Sequence, residues 1–293
     1  MKNLLAYLAI IASMIFWSFS FIWSKEALNV YGPLTILVSR LSLASITLLS
    51  FAKIIGRLQK IQKNHRKYFF LLAFFEPFLY FIGETYGLTL VSPTIAAVII
   101  ATIPLFLPFV GWYYYKESIT IYKILGTLLS FIGVLLVIIN YQMNINANIW
   151  GVGLLLLAVF AAIGYTVVLN KLSHQYNPFT IVGWQSTLAI IGFLPLFLII
   201  EWQEVKEIGF VWEGMQPIIL LGLIASIFAF LLYTYSIRIL GITRTGIFAN
   251  IIPVFTALFS FFVLGERLLK LNYLGIFIVV VGLLLAQKKS AKV

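Results

Sequence analysis

The chain has 293 residues, of which 62% are hydrophobic and 10% are charged, with a mean hydropathy of +1.06. Soluble domains are about 45–50% apolar and about 25% charged, so this composition excludes a water-soluble fold. The absence of cysteine excludes disulfides, thiolate metal ligands and a cysteine nucleophile. The net charge of +11 comes from basic residues in short loops between apolar runs, where they orient helices, and we expect no nucleic-acid partner.

Apolar runs of about 20 residues recur along the whole chain, and each is long enough to cross a hydrocarbon core of about 30 Å. The first run continues without a small-residue cleavage site, so we expect it to be retained as a helix. The sequence therefore predicts an all-α integral membrane protein. Ten transmembrane helices are expected at residues 4–23, 33–55, 68–90, 94–115, 119–139, 149–170, 178–200, 216–237, 244–264 and 272–287.

The basic residues are distributed unevenly between the loops. With the N-terminus in the cytoplasm, fifteen basic residues fall on the inner side and four on the outer side. The outer loop at residues 201–213 carries four glutamates. This bias follows the positive-inside rule, so we expect a multi-pass protein of the cell (inner) membrane with both termini in the cytoplasm.

Two long stretches of the sequence match each other without gaps. At a constant offset of 149, Pro104, Glu117, Gly126 and Gly133 align with Pro253, Glu266, Gly275 and Gly282. A second match, "GPLTILVSR" with "NPFTIVGWQ", pairs Arg40 with Gln185. Such self-similarity reports architecture and predicts two related halves, residues 1–140 and 141–293. Because five helices per half is an odd number, the second half enters the membrane from the opposite side, which gives inverted five-helix repeats.

These motifs resemble the EamA family of the drug/metabolite transporter superfamily. The resemblance rests on "WSFSFIWSK" from Trp17, the "SR" that ends at Arg40, "GETYGL" from Gly83, and Pro104 and Pro253 with their downstream glutamates. The halves have diverged, since one reads "YKES" where the other reads "LGER". The resemblance implies a ten-helix carrier, often an exporter of amino acids, amines, nucleotide-like metabolites or drugs.

Three charged residues, Arg40, Glu76 and Glu84, lie well inside the predicted helices. Charged residues within a membrane usually face the bundle interior or an aqueous cavity. We predict that Glu76 or Glu84 holds a cationic substrate group or exchanges a proton, with Arg40 as a partner or anion anchor. The alternative is a static Arg–Glu pair that stabilises the helix bundle.

Two prolines interrupt long apolar helices. Pro104 and Pro253 free backbone groups, which is tolerated in a membrane where neighbours or a cavity satisfy them. We expect a hinge or broken helix that lines the site together with Thr102 and Asn250; simple bending for packing is the alternative.

Aromatic residues are abundant, and several lie within helices beside small or polar neighbours. Such rings can line a cavity for a cationic or amphipathic ligand by stacking or cation–π contact, with plain packing as the alternative for each. The candidates are Trp17, Tyr80, Tyr86, Tyr165, Trp184, Tyr233 and Tyr235.

The remaining repeated residues are expected to be structural. Glu117 and Glu266 precede helices five and ten, where a carboxylate meets the positive end of a helix dipole, although a contribution to a gate stays open. Glycines recur at a spacing of seven on one face of each of these helices, which permits close helix packing. They are Gly126 and Gly133 in helix five, and Gly275 and Gly282 in helix ten. This packing would lie between the repeats or in a homodimer, and a monomer is equally compatible with the sequence.

No metal-ligand spacing, Gly-rich phosphate loop or nucleophile motif is present in the sequence. We therefore expect no metal, no cofactor and no enzyme activity. The sequence predicts a secondary transporter that moves a small-molecule substrate across the lipid bilayer by alternating access, in the export direction, with proton coupling or facilitated diffusion. The alternatives are a lipid-linked sugar flippase and a membrane enzyme without transport activity.

Overall fold

A computed structural model of the protein describes residues 2–106, 121–138, 148–241 and 245–286, and these are helices joined by turns and short loops. Six of the helices are long and apolar enough to span a membrane, namely α1, α2, α3, α6, α7 and α8. The described parts of the other four are shorter. In chain order the helices are α1 (Lys2–Ala27), α2 (Pro33–Ile54), α3 (Lys63–Leu90), α4 (Pro93–Phe106), α5 (Ile121–Ile138), α6 (Ile149–Ser173), α7 (Pro178–Ile200), α8 (Trp212–Leu240), α9 (Ile251–Leu264) and α10 (Lys270–Ala286).

The observed helices lie within a few residues of the predicted ones wherever the structure describes the chain, except that α9 begins at Ile251 and not at residue 244, because a short helical turn, Ile247–Asn250, precedes it. Helix α1 is longer than the predicted 4–23, and α8 is longer than the predicted 216–237. The loop after α7 contains a short helix, Trp202–Ile208, which the hydropathy pattern does not predict. The end of the predicted helix 94–115 lies outside the described residues.

Proline determines where three of the helices begin. Pro33, Pro93 and Pro178 are the first residues of α2, α4 and α7, a position at which the missing N–H is not needed and the fixed φ fits the helix. Ser92 and Asn177 cap two of these starts, accepting backbone N–H bonds at 3.4 and 2.9 Å. The helix starts are thus encoded locally.

Contacts between helix ends define two faces of the bundle. The side chain of Tyr31 donates to the carbonyl of Gly209 (3.0 Å), which joins the start of α2 to the loop after α7. We call this end, comprising residues 28–33, 91–94, 201–214 and 265–270, the acidic face. At the other end the backbone N–H of Asn177 donates to Gln59 Oε1 (2.6 Å). We call residues 55–66, 174–177, 241 and 245–246 the basic face.

Helices α3 and α8 each contain a π-helical segment, Phe74–Leu79 and Leu221–Ala229. The two segments occupy matching positions, since "TY" at residues 85–86 aligns with "TY" at residues 234–235 at the same offset of 149. In α3 the residue before Pro77 leaves helical geometry, with φ −148° and ψ 122° at Glu76, because proline disfavours the α region in the residue before it. Such wider turns occur frequently at functional sites.

The four glycines of the repeat lie at a seam between α5 and α10. A Cβ atom on Gly133 would lie 2.7 Å from the carbonyl oxygen of Gly275, and one on Gly282 would lie 2.7 Å from the carbonyl oxygen of Gly126. The contact is therefore reciprocal between the halves of a single chain. Ser130 adds a hydrogen bond across the seam to the carbonyl of Val279 (3.1 Å).

Candidate substrate site

A central cavity of about 80 Å³ lies between helices of both halves. Helices α1 to α4 line it from the first half, and α6, α8 and the segment leading into α9 line it from the second. Thr245 and Gly246 at the basic face belong to its wall. The volume suffices for several water molecules or a small ligand.

The structure brings most of the predicted site residues to this cavity. Thr102 is buried beside it and donates to the carbonyl of Ile99 in its own helix (2.6 Å). Pro253 is buried in α9 next to the lining residue Ile252. The predicted residues in the wall itself are Trp17, Arg40, Glu76, Tyr80, Glu84, Pro104, Tyr165 and Tyr233.

Five predicted residues are placed elsewhere or are not described. Tyr86 and Tyr235 do not line the central cavity. Trp184 lines a separate cavity near the basic face. The backbone of Asn250 closes the short helical turn Ile247–Asn250, and its side chain lies outside the described set. Glu117 also lies outside the described residues.

Arg40 is held between the two halves. It is 2% exposed, its Nε donates to Ser226 Oγ (3.0 Å), and its Cζ lies 4.4 Å from the ring centroid of Phe81. Among the described residues its guanidinium forms no salt bridge with a carboxylate within 4.0 Å. The direct contact that a static Arg–Glu pair requires is therefore missing, although Arg40 lines the same cavity as both glutamates.

The two glutamates of α3 are buried in the same wall. Glu76 is 7% exposed and Glu84 is 4% exposed. The hydroxyl of Tyr80 donates to Glu84 Oε1 (3.2 Å), whereas within the described part of the chain no side chain donates to the Glu76 carboxylate. A buried carboxyl group is costly unless a proton or a cation compensates it. The site therefore suits either a protonated carboxyl group or a bound cation.

Aromatic rings of α1, α6 and α8 line the same cavity. The ring of Trp17 lies 4.9 Å from that of Tyr233 and 5.1 Å from that of Phe230. Tyr165 meets Phe230 edge to face at 6.2 Å and donates its hydroxyl hydrogen to Gln185 Oε1 (3.3 Å). A positively charged group in this cavity would have both ring faces and carboxylates around it.

Two residues that support the site were not predicted from the sequence. Phe81 and Ser226 position Arg40, but Phe81 is one phenylalanine among 26. Ser226 is a single hydroxyl within the apolar segment "GLIASIF", and this interruption is the only sequence signal for it.

The acidic face is closed above the cavity by hydrogen bonds. Lys25 Nζ donates to the carbonyl of Leu88 (2.6 Å). Glu266 accepts from the hydroxyls of Ser92 (2.6 Å) and Thr94 (2.9 Å) at the start of α4. The carboxylate of Glu266 therefore meets α4 of the first half and not α10, the helix with which the sequence paired it.

A second carboxylate closes the same face in the same way. Glu201, at the end of α7, is 4% exposed and accepts from the backbone N–H groups of Leu34 (3.0 Å) and Thr35 (2.7 Å). The hydroxyl of Thr35 donates to it as well (2.7 Å). Glu201 thus caps the N-terminus of α2, and Glu266 binds side-chain hydroxyls at the N-terminus of α4, where the helix dipole favours negative charge.

A bundle of membrane-spanning helices around a charged and aromatic cavity defines the protein as a multi-pass membrane transport protein. The model of the EamA-like transporter family matches residues 4–139 and, a second time, residues 149–287. The chain belongs to this family.

Relatives resemble the chain over nearly its whole length. An "Uncharacterized transporter" of Archaeoglobus fulgidus is 25% identical over 97% of this chain and 99% of its own. A WAT1-related protein of Arabidopsis thaliana is 28% identical over 97% of this chain and 69% of its own. One solved crystal structure superposes with a TM-score of 0.70 over 96% of this chain and 97% of its own, at 14% identity, and so shares the fold.

Proposed function

We propose that the protein is a secondary transporter that exports a small metabolite with a positively charged amino group, such as an amino acid or an amine. The observation that carries the proposal is the pair of buried glutamates, Glu76 and Glu84, which line the central cavity together with several aromatic rings. Two carboxylates against one guanidinium favour a cationic group over an anion. Arg40 is then available to a carboxylate or hydroxyl of the same ligand.

Alternating access is the proposed mechanism. The two halves, residues 1–140 and 141–293, act as inverted repeats of five helices each, ten in all, and rock about the site between them. The closed acidic face and the cavity wall that reaches Gly246 support a state that faces the basic side. The excess of basic residues on that side supports a cytoplasmic orientation of both termini in the cell (inner) membrane.

A monomer is the proposed functional unit. The repeated glycines, which are candidates for a dimer interface, are used at the seam between α5 and α10 of one chain. Energy for export would come from protons or from the substrate gradient, and the Glu76 carboxyl group, without a protein donor in the described residues, is our candidate proton carrier.

The test is efflux from proteoliposomes that contain the purified full-length protein and labelled amino acids, amines or nucleosides. We expect saturable efflux of compounds with an amino group, and an initial rate that changes when a pH gradient is imposed. Glu76→Gln and Glu84→Gln should each lower the rate at least tenfold, because a neutral amide cannot replace a carboxylate toward a cation or a proton.

The matched control is Glu204→Gln, which removes an exposed glutamate of the acidic face and should leave efflux unchanged. If neither cavity variant alters efflux while both insert correctly, the glutamates have no role in transport. If no compound is transported at all, the assays turn to flipping of lipid-linked sugars.

A further inference from the structure

A second cavity lies away from the substrate site, where the basic face meets the membrane. It measures about 590 Å³ and lies between the loop after α2, the start of α3 and helix α7. Its rim carries the basic side chains of Lys60 and Arg66, and its wall includes Phe70, Trp184 and Leu188. We call it the basic groove.

The loop that carries the rim is fixed to α7. The backbone N–H of Gln59 donates to Thr180 Oγ1 (2.9 Å), and the side chain of Asn177 donates to the carbonyl of Arg57 (2.6 Å). The backbone N–H of Gln62 donates to the hydroxyl of Tyr176 (3.1 Å). The basic groove is therefore a built feature, and Lys60 stands on an ordered backbone.

No acidic residue lies close in the sequence to the basic residues around the groove. Residues 53–67 contain six lysines and arginines, and no acidic residue occurs anywhere from residue 27 to residue 75. Clusters of this size next to a membrane helix attract anionic lipid headgroups. An anion in the groove would meet two of these charges at once.

The wall of the groove supplies a hydrogen-bond donor and a lipid-facing surface. Trp184 Nε1 is buried and has no hydrogen-bond partner in the described structure, which is costly for a polar group. It lies six residues into α7 from Pro178, about 9 Å along the helix axis, and lines the same cavity as Lys60 and Arg66. Beside it, Phe70 is 64% exposed, as expected for a side chain in contact with acyl chains.

We propose that the basic groove binds the headgroup of an anionic phospholipid from the leaflet on the basic side. Lys60 and Arg66 pair with the phosphate, Trp184 Nε1 donates to a phosphate or ester oxygen, and the acyl chains run along Phe70 and Leu188. Charge and the exposed apolar side chain of Phe70 favour a lipid over a soluble phosphate compound, since a soluble anion would leave this apolar surface uncovered. The groove is separate from the central cavity, so the proposal does not depend on the substrate.

The test uses the delipidated full-length protein in detergent, with lipid binding measured by native mass spectrometry and by the thermal unfolding midpoint. Phosphatidylglycerol, phosphatidylcholine and inorganic phosphate are added separately. We expect phosphatidylglycerol to bind and to raise the midpoint, and the other two to do neither.

Two variants and one matched control locate the site. Since each basic residue near an anionic lipid contributes roughly a fivefold factor, Lys60→Ala/Arg66→Ala should weaken phosphatidylglycerol binding about tenfold or more. Trp184→Phe, which removes only the donor, should weaken it a few-fold. Arg57→Ala/Lys63→Ala removes the same two residue types from exposed positions outside the groove and should change binding less than twofold.

Three results would overturn the proposal. Equal losses in the control and groove variants would mean diffuse attraction to the whole loop. Equal binding of phosphatidylcholine would remove the role of charge. A midpoint raised equally by inorganic phosphate would assign the groove to a soluble anion. If the double variant does not fold, Trp184→Phe alone decides, and unchanged binding in that variant counts against the site.

Discussion

The seam between α5 and α10 and the central cavity both form where the two halves meet, but they use the halves differently. At the seam, Gly133 and Gly282 occupy matching positions and make the same contact with the opposite helix. In the cavity, the matching residue of Glu84 is Tyr233, and that of Arg40 is Gln185. All three buried charges of the site thus come from the first half.

The difference follows from what each region must fit. Close packing of two helices depends on shape, and the same surface used twice satisfies it. A small metabolite has no twofold symmetry, so a site between the halves binds it more tightly when the two sides carry different chemical groups. Duplication therefore fixes the framework of this protein, while the chemistry of the cavity has become one-sided.

The largest expected effect comes from replacing Arg40 by glutamine, the residue at the matching position of the second half. Arg40→Gln leaves two carboxyl groups without a cation nearby, and an uncompensated buried charge costs about 3–5 kcal/mol. We expect the efflux rate per folded molecule to fall by about a hundredfold or more. Arg238→Gln, at an exposed arginine of α8, is the control, and equal rates in both variants would remove Arg40 from the site.

The acidic face provides a second test of how the two halves differ. The carboxylates that form hydrogen bonds across it, Glu201 and Glu266, come from the second half. The chain lacks cysteine, so Ser20→Cys places a single thiol in the cavity wall. Combining Ser20→Cys with Glu266→Ala removes two hydrogen bonds to a carboxylate, each worth about 1.5–3 kcal/mol. We expect labelling by a membrane-impermeant maleimide from the acidic face to rise about tenfold.

Glu204→Ala in the Ser20→Cys background is the control for that experiment, and it should leave labelling slow. Fast labelling of Ser20→Cys by itself would show that the acidic face is already open in solution.

The symmetry of the seam predicts equal effects from equivalent substitutions. Gly133→Ala and Gly282→Ala each force a methyl group into a backbone contact, and we expect each to lower the free energy of unfolding by about 1–3 kcal/mol, measured in detergent. A Cβ atom on Gly153 in α6 would meet no other atom within 4 Å, so Gly153→Ala should be neutral or stabilising by up to about 1 kcal/mol. Unequal effects of the two seam substitutions would mean that the halves pack differently.

The smallest effect is expected at Tyr80, which donates to Glu84. Tyr80→Phe removes one hydrogen bond to a charged group, worth about 1.5 kcal/mol. Because this bond supports Glu84 and is not itself a contact with the ligand, KM for efflux should change by about tenfold at most while the protein stays folded. Tyr273→Phe at a half-exposed position of α10 is the control. An unchanged KM would place the ligand away from Glu84.

The apolar runs and the repeat predict most of the helices because hydropathy and helix length are local properties. The π-helical segments of α3 and α8 escape prediction, since a widened turn depends on what packs against it. The position of Trp184 is not predicted either. Helix α7 has no distinct polar and apolar faces, so the sequence does not indicate which of its sides faces the cavity.

Glu201 shows the same limit for polar residues. Its sequence context is an acidic loop, which predicts an exposed side chain, yet it is buried against residues 34 and 35 of α2. A contact between residues more than 160 positions apart leaves no local signature. By contrast, Arg40, Glu76 and Glu84 are identified by the sequence because any charge inside an apolar helix is exceptional.

The reciprocal seam has a consequence for how the protein is made. Helix α5 leaves the ribosome about 150 residues ahead of α10, since their matching glycines are 149 positions apart. At roughly 5–20 residues per second, α5 must wait about 7–30 seconds in the membrane with its glycine face covered only by lipid. The first half therefore cannot finish folding during its own synthesis, and a chain truncated before α10 is expected to be a target for membrane quality control.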